Sequence, residues 1–158
     1  MSTGMKRVSD SRTEQVQILT MGSLNGFNRL FGGQLMEWID VVAAVVARRH
    51  SNRNVTTACV DRLDFLGAAR SNDTLVLLGR ITHVGRTSME VCVETFVEQL
   101  NGVRRLVNQA YLVMVALDEQ EQPACVPGLL LETEQEKNDW AMAEERRKAR
   151  AAKKEGKT

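Results

Sequence analysis

The sequence feature that most constrains the fold is the segment Phe31–His50, whose middle is almost entirely apolar. The segment contains no proline and its glycines stand only at its beginning, so it predicts a helix. Its last three residues are two arginines and a histidine, which suit the negative end of a helix dipole. Between Leu35 and Ala47 only Glu37 and Asp40 interrupt the apolar run. A helix that is apolar on nearly every face is expected to be buried on every face.

Strand-like segments surround this helix. One precedes it, at Gln15–Met21, and four follow it. The pair Asn101-Gly102 is a strong hairpin signal, and the other connections are also short, which predicts antiparallel pairing. A long antiparallel sheet with a single helix curls around that helix, so the order of elements predicts an α+β protein of the hotdog fold. The four later strands are Val55–Leu66, Thr74–Gly85, Thr87–Gln99 and Arg104–Leu117.

The chain divides by composition into three parts. Residues 1–13 are polar and are expected to form a disordered arm. Residues 14–127 hold the helix and the strands and form the single folded domain. Residues 128–158 form a helix-prone, highly charged tail, which we expect to be a solvated helix that frays toward its end. The stretch 144–158 contains seven Lys or Arg against three Glu.

Charge and cysteine content exclude several classes of function. The 158 residues have a formal net charge of +1, which argues against nucleic-acid binding, and no apolar run is long enough to span a membrane. The beginning of the chain contains no apolar leader, so a cytoplasmic location is expected. No two of Cys59, Cys92 and Cys125 have metal-ligand spacing, and the two histidines add no zinc site. We therefore expect reduced thiols and no metal.

Asp40 is the most informative polar residue, because it stands between Ile39 and Val41 in the most apolar part of the chain. A carboxylate removed from water without partners costs several kcal/mol. A protein keeps such a group where it is paired or where it takes part in chemistry. Burial alone leaves open whether Asp40 is catalytic or pairs with another group at a subunit interface.

Two further sites lie before Asp40. Gly32 and Gly33 open the helix, where free backbone N–H groups can bind an anion or a developing oxyanion. An ordinary glycine-rich junction has the same pattern. Asn25, six residues before Phe31, could orient a water molecule or a carbonyl group, although asparagine is also common in turns.

A fourth candidate lies between two strands, at Gly85, Arg86, Thr87 and Ser88. An arginine and two hydroxyl groups beside a glycine can bind phosphate. The alternative is a plain strand connection with polar turn residues.

Several of these motifs together resemble the hotdog acyl-CoA hydrolases of the cytosolic acyl-CoA thioesterase and YciA type. The stretch from Asn25 through Phe31-Gly32-Gly33 to Asp40 is similar to the signature of that family. Val60–Leu66 and Val84–Val91 are also similar to family motifs, and the likeness extends over roughly residues 14–120.

The resemblance implies specific roles. It assigns the catalytic carboxylate to Asp40 and the catalytic asparagine to Asn25, with the two groups contributed by opposite subunits of a dimer. It assigns part of the coenzyme A site to Arg86, Thr87 and Ser88. The implied function is hydrolysis of acyl-CoA thioesters, and Asp40 would act either as a general base on water or as a nucleophile.

The resemblance also implies a homodimer or a larger assembly, either a dimer of dimers or a trimer of dimers, with acyl-CoA as substrate and no metal or redox cofactor. Two alternatives are a non-catalytic acyl-CoA-binding protein and a dehydratase. The dehydratase would need a histidine in the site, and the sequence has none before His50.

The chain departs from the family pattern at three places. Ser23-Leu24 replaces a usual Asp-Thr pair, Asn28 replaces a usual glycine, and Gly67-Ala68-Ala69 stands where a proline is common. The first two departures lie in the active-site loop, so they bear on the shape of that loop and on the substrate range.

Overall fold

A computed structural model describes residues 4–156 of the chain. The strands are β1 (Met5–Arg7), β2 (Thr13–Ile18), β3 (Asn54–Phe65), β4 (Thr74–Val84), β5 (Ser88–Glu98), β6 (Arg104–Leu117) and β7 (Gly128–Leu130), and the helices are α1 (Gly32–Ser51) and α2 (Glu134–Glu155). The main sheet has the order β2-β4-β5-β6-β3, and all its pairs are antiparallel. The predicted hotdog architecture is confirmed, with strand ends within three residues of those expected from the sequence.

Helix α1 lies against the inner face of this sheet. Its side chains Ile39, Val42 and Val46 are at most 2% exposed and belong to the central core. The helix comes closest to the sheet at Gly79, where a Cβ atom would lie 2.7 Å from Val42 Cγ1 and 2.9 Å from Val46 Cγ2. A side chain at this position would push the helix away, so Gly79 sets the distance between the two layers.

One stripe of α1 faces away from the sheet. Met36 is 41% exposed and Val41 is 50% exposed, and Glu37 and Asp40 are exposed beside them. The expectation that α1 is buried on every face is therefore wrong for a single chain. An exposed stripe that mixes apolar side chains with a carboxylate is typical of a surface covered by another subunit or by a ligand.

Strand β3 forms one edge of the main sheet. It is twelve residues long and pairs only with β6 among the described residues. Its exposed apolar residues include Val60 and Phe65, which are 42% and 56% exposed. Long edge strands of this kind are usually covered or paired.

The chain is ordered from residue 4 onward. The expectation of a disordered arm at residues 1–13 is therefore wrong for residues 4–13. Residues 1–3 lie outside the described part of the chain. Strand β1 pairs in parallel with β7, and a short 3₁₀ helix follows at Val8–Asp10. Val8 is buried in the core, and Lys6 Nζ donates to the backbone oxygen of Arg49 at 2.8 Å. The sequence missed this strand because three residues show no measurable periodicity.

The helix predicted in the charged tail is confirmed as α2. The expectation that this helix is surrounded by solvent is wrong. A capping box begins it, in which Thr133 and Glu136 satisfy each other's backbone N–H groups. The helix then lies across the outer face of the sheet, where Trp140 stacks on His83 with a ring separation of 4.0 Å. Neither α1 nor α2 combines the length and the apolar character that a membrane span requires.

Buried charges hold α2 to the sheet. The carboxylate of Glu90, which is 3% exposed, accepts two hydrogen bonds from Arg146, at 2.7 and 3.0 Å, and a third from Thr82 at 2.6 Å. Arg150 lies 3.6 Å from the same carboxylate and donates to Asp61 at 2.7 Å. Two arginines of the tail, Arg146 and Arg150, are therefore paired with acids on the strands, which composition could not indicate.

We expect truncation after Ala143 to destabilise the protein. It removes Arg146 and Arg150 and leaves Glu90 as a buried carboxylate without a cationic partner, which should lower the free energy of unfolding by about 3 kcal/mol. Urea denaturation measures this change. Truncation after Ala151 is the matched control, because it keeps both arginines and should change stability by less than about 0.5 kcal/mol. Equal stability of the two truncated proteins would contradict the structural role of these ion pairs.

Candidate active site

The loop between β2 and α1 is organised by Asn25. Its Oδ1 accepts hydrogen bonds from the backbone N–H groups of Phe27 at 2.9 Å and Arg29 at 3.2 Å. The side-chain oxygen therefore shapes the loop, while the exposed amide N–H₂ group is available to a ligand. Asn28 has a φ of 56°, which is the left-handed conformation that glycine adopts most easily. Asparagine tolerates this conformation better than other residues, so the departure from the family glycine preserves the backbone shape.

The first turn of α1 presents unpaired backbone donors. The first hydrogen bond of the helix runs from the N–H of Leu35 to the carbonyl oxygen of Phe31 at 3.1 Å, and no side chain caps this end. The N–H groups of Gly32 and Gly33 precede that bond, so they are free to point toward an anion. The oxyanion-binding role of Gly32 and Gly33 stays a prediction.

A pocket of about 390 Å³ opens beside this helix start. Its walls combine apolar side chains with the polar side chains of Asn25 and Arg29, and they come from the loop before α1, from α1, from the end of β3 and its following loop, and from β6. The segment Gly67-Ala68-Ala69, where the family usually has proline, forms part of the wall. The lining residues are Asn25, Arg29, Leu30, Leu35, Phe65, Leu66, Gly67, Ala68, Ala69 and Val107.

Asp40 lies farther along α1, on its exposed stripe. Its Oδ1 accepts a hydrogen bond of 2.6 Å from the hydroxyl group of Thr57 on β3. Thr57 also approaches Met114 Sδ at 3.4 Å, which limits its rotation. The sequence analysis missed Thr57, because nothing in the sequence around it indicates which helical residue faces it.

Asp40 and Asn25 do not meet within one chain. Eight residues separate Asp40 from Gly32, which is about 12 Å along a helix. The pocket beside Asn25 does not include Asp40. Within one chain, the candidate residues form two separate half-sites.

The segment Gly85–Ser88 forms the tight turn between β4 and β5, in which the N–H of Gly85 donates to the carbonyl oxygen of Ser88 at 2.8 Å. A Cβ atom on Gly85 would lie 3.0 Å from the guanidinium group of Arg147, so α2 approaches this turn closely. Arg86 is exposed, and Thr87 and Ser88 are half-buried.

A groove of about 600 Å³ runs between this turn, β3 and the end of α2. Its floor is apolar and its rim is basic, which suits an anionic ligand with an apolar part. The lining residues are Ala58, Cys59, Val60, Asp61, Ser88, Val113, Val115, Arg147, Arg150, Ala151, Lys153 and Lys154.

Cys92 is buried in the sheet and is not placed to act as a nucleophile. Burial raises the pKa of the Cys92 thiol to about 12, so it stays protonated at neutral pH. Among residues 4–156, no group of three or more His, Cys, Asp or Glu side chains is placed to hold a metal ion. The expected lack of a cofactor stays a prediction.

The class of protein is defined by its fold and by its half-sites. The fold is a curled antiparallel sheet around one helix. The half-sites consist of an acid on that helix and unpaired N–H groups at its start. A model of the thioesterase superfamily matches residues 27–103. An acyl-CoA thioester hydrolase of Bacillus subtilis is 42% identical over 71% of this chain and 66% of its own length.

Solved structures of similar proteins match this fold over nearly the whole chain. A hexameric acyl-CoA thioesterase is 38% identical, with a TM-score of 0.92 over 95% of this chain and 97% of the other. An acyl-CoA hydrolase of Staphylococcus aureus, solved with butyryl coenzyme A and coenzyme A, is 33% identical, with a TM-score of 0.91 over 95% of this chain and 92% of the other. Other structures of that enzyme carry single replacements of an Asp, an Asn or a Thr by Ala.

The chain belongs to the thioesterase superfamily, and the resemblance seen in the sequence is confirmed. It spans 66% of the length of the Bacillus subtilis relative and 25% of the length of mouse acyl-coenzyme A thioesterase 11, to which it is 29% identical over 94% of its own residues.

The loop that carries Asn25 should depend on the conformation of Asn28. Asn28→Val forces a β-branched residue into the left-handed region and should lower the free energy of unfolding by about 1–2 kcal/mol. Asn28→Gly, the matched control, adopts the same conformation without strain and should remain within about 1 kcal/mol of the natural protein. Chemical denaturation of both variants measures the difference. If Val were tolerated as well as Gly, the loop would not depend on this conformation.

Proposed function

We propose that this protein hydrolyses acyl-CoA thioesters to a free acid and coenzyme A. The observation that carries the proposal is the Asp40 carboxylate, which is exposed on α1 and held by the Thr57 hydroxyl at 2.6 Å. An accessible carboxylate with a fixed orientation can accept a proton from water or attack a carbonyl carbon. The three residues replaced by alanine in the Staphylococcus aureus enzyme have the same separations along the chain as Asn25, Asp40 and Thr57, which supports a joint role for these three.

The active site is completed by a second subunit. The exposed stripe of α1 and the long edge of β3 are the surfaces that a hotdog dimer would cover, with the β3 strands of two copies paired. Pairing of this kind brings the Asn25 loop of one subunit toward Asp40 of the other, and so joins the two half-sites. The hexameric relative supports assembly beyond the dimer. A trimer of dimers is the larger assembly that fits this relative.

The reaction then needs only groups that these residues supply. Water attacks the thioester carbonyl carbon and transfers a proton to Asp40; alternatively, the Asp40 carboxylate attacks the carbonyl carbon and water hydrolyses the resulting anhydride. In both routes the N–H groups of Gly32 and Gly33 stabilise the oxyanion, and Asn25 orients water or substrate. The carbon–sulfur bond breaks and coenzyme A leaves as the thiolate, so the proposal includes no metal or redox cofactor.

The coenzyme A nucleotide is assigned to the turn Gly85–Ser88. Arg86 and the hydroxyl groups of Thr87 and Ser88 can donate to phosphate oxygens, as the resemblance implied. The approach of Arg147 to Gly85 and the basic rim of the 600 Å³ groove support this assignment, because they add cations beside the turn. The cytosolic acyl coenzyme A thioester hydrolase of rat, 33% identical over 86% of this chain, supports the cytoplasm as the site of action.

Asp40→Asn should lower kcat for acyl-CoA hydrolysis by about 100-fold or more, because the amide cannot accept a proton or act as a nucleophile. The assay follows release of coenzyme A with a thiol reagent. Glu37→Gln is the matched control, since Glu37 is an exposed acid on the same stripe of α1 and should change kcat less than about twofold. Near-normal turnover by Asp40→Asn would rule out the mechanism, and hydrolysis of no acyl-CoA by the natural protein would leave the non-catalytic binding alternative.

The sharing of the site between subunits can be tested by mixing variants. Asn25→Ala and Asp40→Asn subunits should each be inactive as homodimers. A heterodimer contains one site in which both residues are natural, so unfolding and refolding an equal mixture should restore about a quarter of the natural activity if subunits pair at random. A mixture with no more activity than its parents would show that Asn25 and Asp40 act within one chain.

A further inference from the structure

The basic side chains near the end of α2 fall into two groups. Arg146 and Arg150 are each paired with an acid on a strand at 2.7 Å. Three other basic side chains make no salt bridge within residues 4–156, and these are Arg147, Lys153 and Lys154. The first group holds the helix to the sheet, and the second group is left with its charge available.

All three unpaired cations line the 600 Å³ groove between α2, β3 and the turn Gly85–Ser88. The lining contains four cationic side chains and one acid, Asp61, and this acid is already paired with Arg150 at 2.7 Å. Since the whole chain has a formal net charge of only +1, positive charge is concentrated at this groove. A groove of this kind attracts an anion that carries several negative charges.

The position of Arg147 has no explanation in the stability of the helix. Lys153 and Lys154 stand in the last turn of α2, where cations also stabilise a helix end. Arg147 lies about two turns earlier, outside the reach of that effect. The acid one turn before it, Glu144, is hydrogen-bonded to His83 at 2.7 Å. Arg147 is therefore the residue whose placement points most directly to a ligand.

The guanidinium group of Arg147 lies beside the turn between β4 and β5. A Cβ atom on Gly85 would lie 3.0 Å from Arg147 Nη2 and 2.8 Å from Ser88 Oγ, so the guanidinium and the hydroxyl group flank one point. Of the four residues of the turn, only Ser88 lines the groove, and Arg86 does not. The positive charge of the groove therefore comes from α2 and not from the arginine of the turn.

The groove also reaches the strand that holds the candidate catalytic acid. Ala58 lines the groove and directly follows Thr57, whose hydroxyl group donates to Asp40 at 2.6 Å. The register of β3 with β6 shifts between Thr57 and Cys59. Such a bulge bends a strand and is common beside active sites. A ligand in the groove therefore lies close, along β3, to the Asp40 half-site of the same chain.

We propose that Arg147, together with Lys153 and Lys154, binds the phosphate groups of the coenzyme A nucleotide and makes the enzyme selective for thioesters that carry this nucleotide. This inference rests on the proposed thioester hydrolysis and specifies its substrate class as thioesters of coenzyme A, in preference to those of pantetheine. The nucleotide carries a diphosphate and a 3′-phosphate, which match the cations of the rim. Its adenine ring matches the apolar floor, which includes Val60, Val113 and Val115.

Arg147→Gln should raise KM for an acyl-CoA by about tenfold and leave kcat within about twofold, because it removes a charge-assisted hydrogen bond to phosphate far from the reacting carbonyl group. It should not change kcat/KM for the same acyl group on pantetheine, which has no nucleotide. The assay uses the acyl chain that the natural protein hydrolyses fastest in a series from acetyl to palmitoyl. A third substrate, the dephospho-CoA thioester, lacks the 3′-phosphate: an unchanged KM there assigns Arg147 to the 3′-phosphate, and a raised KM assigns it to the diphosphate.

Lys148→Gln is the matched control, because it removes one positive charge from the next residue of the same helix. Lys148 lies within 3.5 Å of Glu145, its side chain is 72% exposed and it does not line the groove, so KM should stay within about twofold of the natural value. Both substituted side chains are exposed, so neither change should alter Tm appreciably. Arg147→Lys keeps the charge but not the planar fork, and its KM should fall between those of the natural protein and Arg147→Gln.

The two lysines are tested by truncation after Ala151, which removes Lys153 and Lys154 and keeps Arg147 and Arg150. This change should raise KM for the acyl-CoA by about threefold, since each lysine is exposed and its attraction to phosphate is weakened by solvent. It should leave kcat/KM for the acyl-pantetheine unchanged. An unaltered KM for the acyl-CoA would remove both lysines from the proposed site.

Binding of coenzyme A alone, measured by titration calorimetry, separates this inference from the proposed hydrolysis. Arg147→Gln should raise the Kd by about tenfold and Lys148→Gln by less than about twofold. If the natural protein binds coenzyme A through Arg147 but hydrolyses no thioester, the proposed hydrolysis fails and the phosphate site stands.

Two results would overturn the inference and leave hydrolysis intact. One is an equal effect of Arg147→Gln and Lys148→Gln on KM for the acyl-CoA. The other is an equal loss of kcat/KM for the acyl-CoA and the acyl-pantetheine in Arg147→Gln, which would show that Arg147 is structural. A natural protein that neither binds coenzyme A nor hydrolyses its thioesters would contradict both proposals.

Discussion

The close packing of α1 on the inner face of the sheet is the constraint on which the rest of the structure depends. At Gly79 the absence of a side chain lets Val42 and Val46 approach the strand backbone, and this contact fixes the height of the helix above the sheet. Once that height is fixed, Asp40 comes within hydrogen-bonding distance of Thr57 on β3, and Leu35 of the first turn lines the pocket beside Asn25. The geometry of the candidate site is therefore a consequence of core packing.

A single chain leaves one side of this arrangement incomplete. The helix has a buried face that the sheet covers and an exposed stripe that no described residue of the same chain covers. The edge strand β3 leaves its outer backbone N–H and C=O groups unpaired over a long stretch. An open edge of this length can pair with another chain and aggregate. Both features lie on the same side of the molecule as Asp40, so in the proposed dimer the contacts that cover them would also complete the proposed active site.

The outer face of the sheet is stabilised in a different way. There, α2 packs through a network of ion pairs around Glu90, with Arg80 bridging Glu94 and Asp139 on the neighbouring strands and helix. Buried ion pairs contribute little net stability compared with apolar packing, but the loss of one partner is costly because a buried charge remains. This arrangement ties the position of the basic end of α2 to the strands, and so holds Arg147 beside the turn at Gly85.

The order of elements, the long helix and the antiparallel sheet could be derived from the sequence, because they depend on local periodicity. Motifs of fixed spacing indicated the candidate residues Asn25, Asp40, Gly32, Gly33 and Gly85–Ser88, and their roles stay predictions. Three features could not be derived from the sequence. The pairing of β1 with β7 joins segments more than 120 residues apart, Thr57 becomes relevant only when β3 lies against α1, and the charges of α2 could be recognised as paired only once their strand partners were known. The sequence by itself determined which segments form helix and strands, because backbone preference and apolar periodicity act over a few residues; the tertiary structure alone decided which side chains meet, because contacts across the sheet depend on register and layer packing between distant parts of the chain.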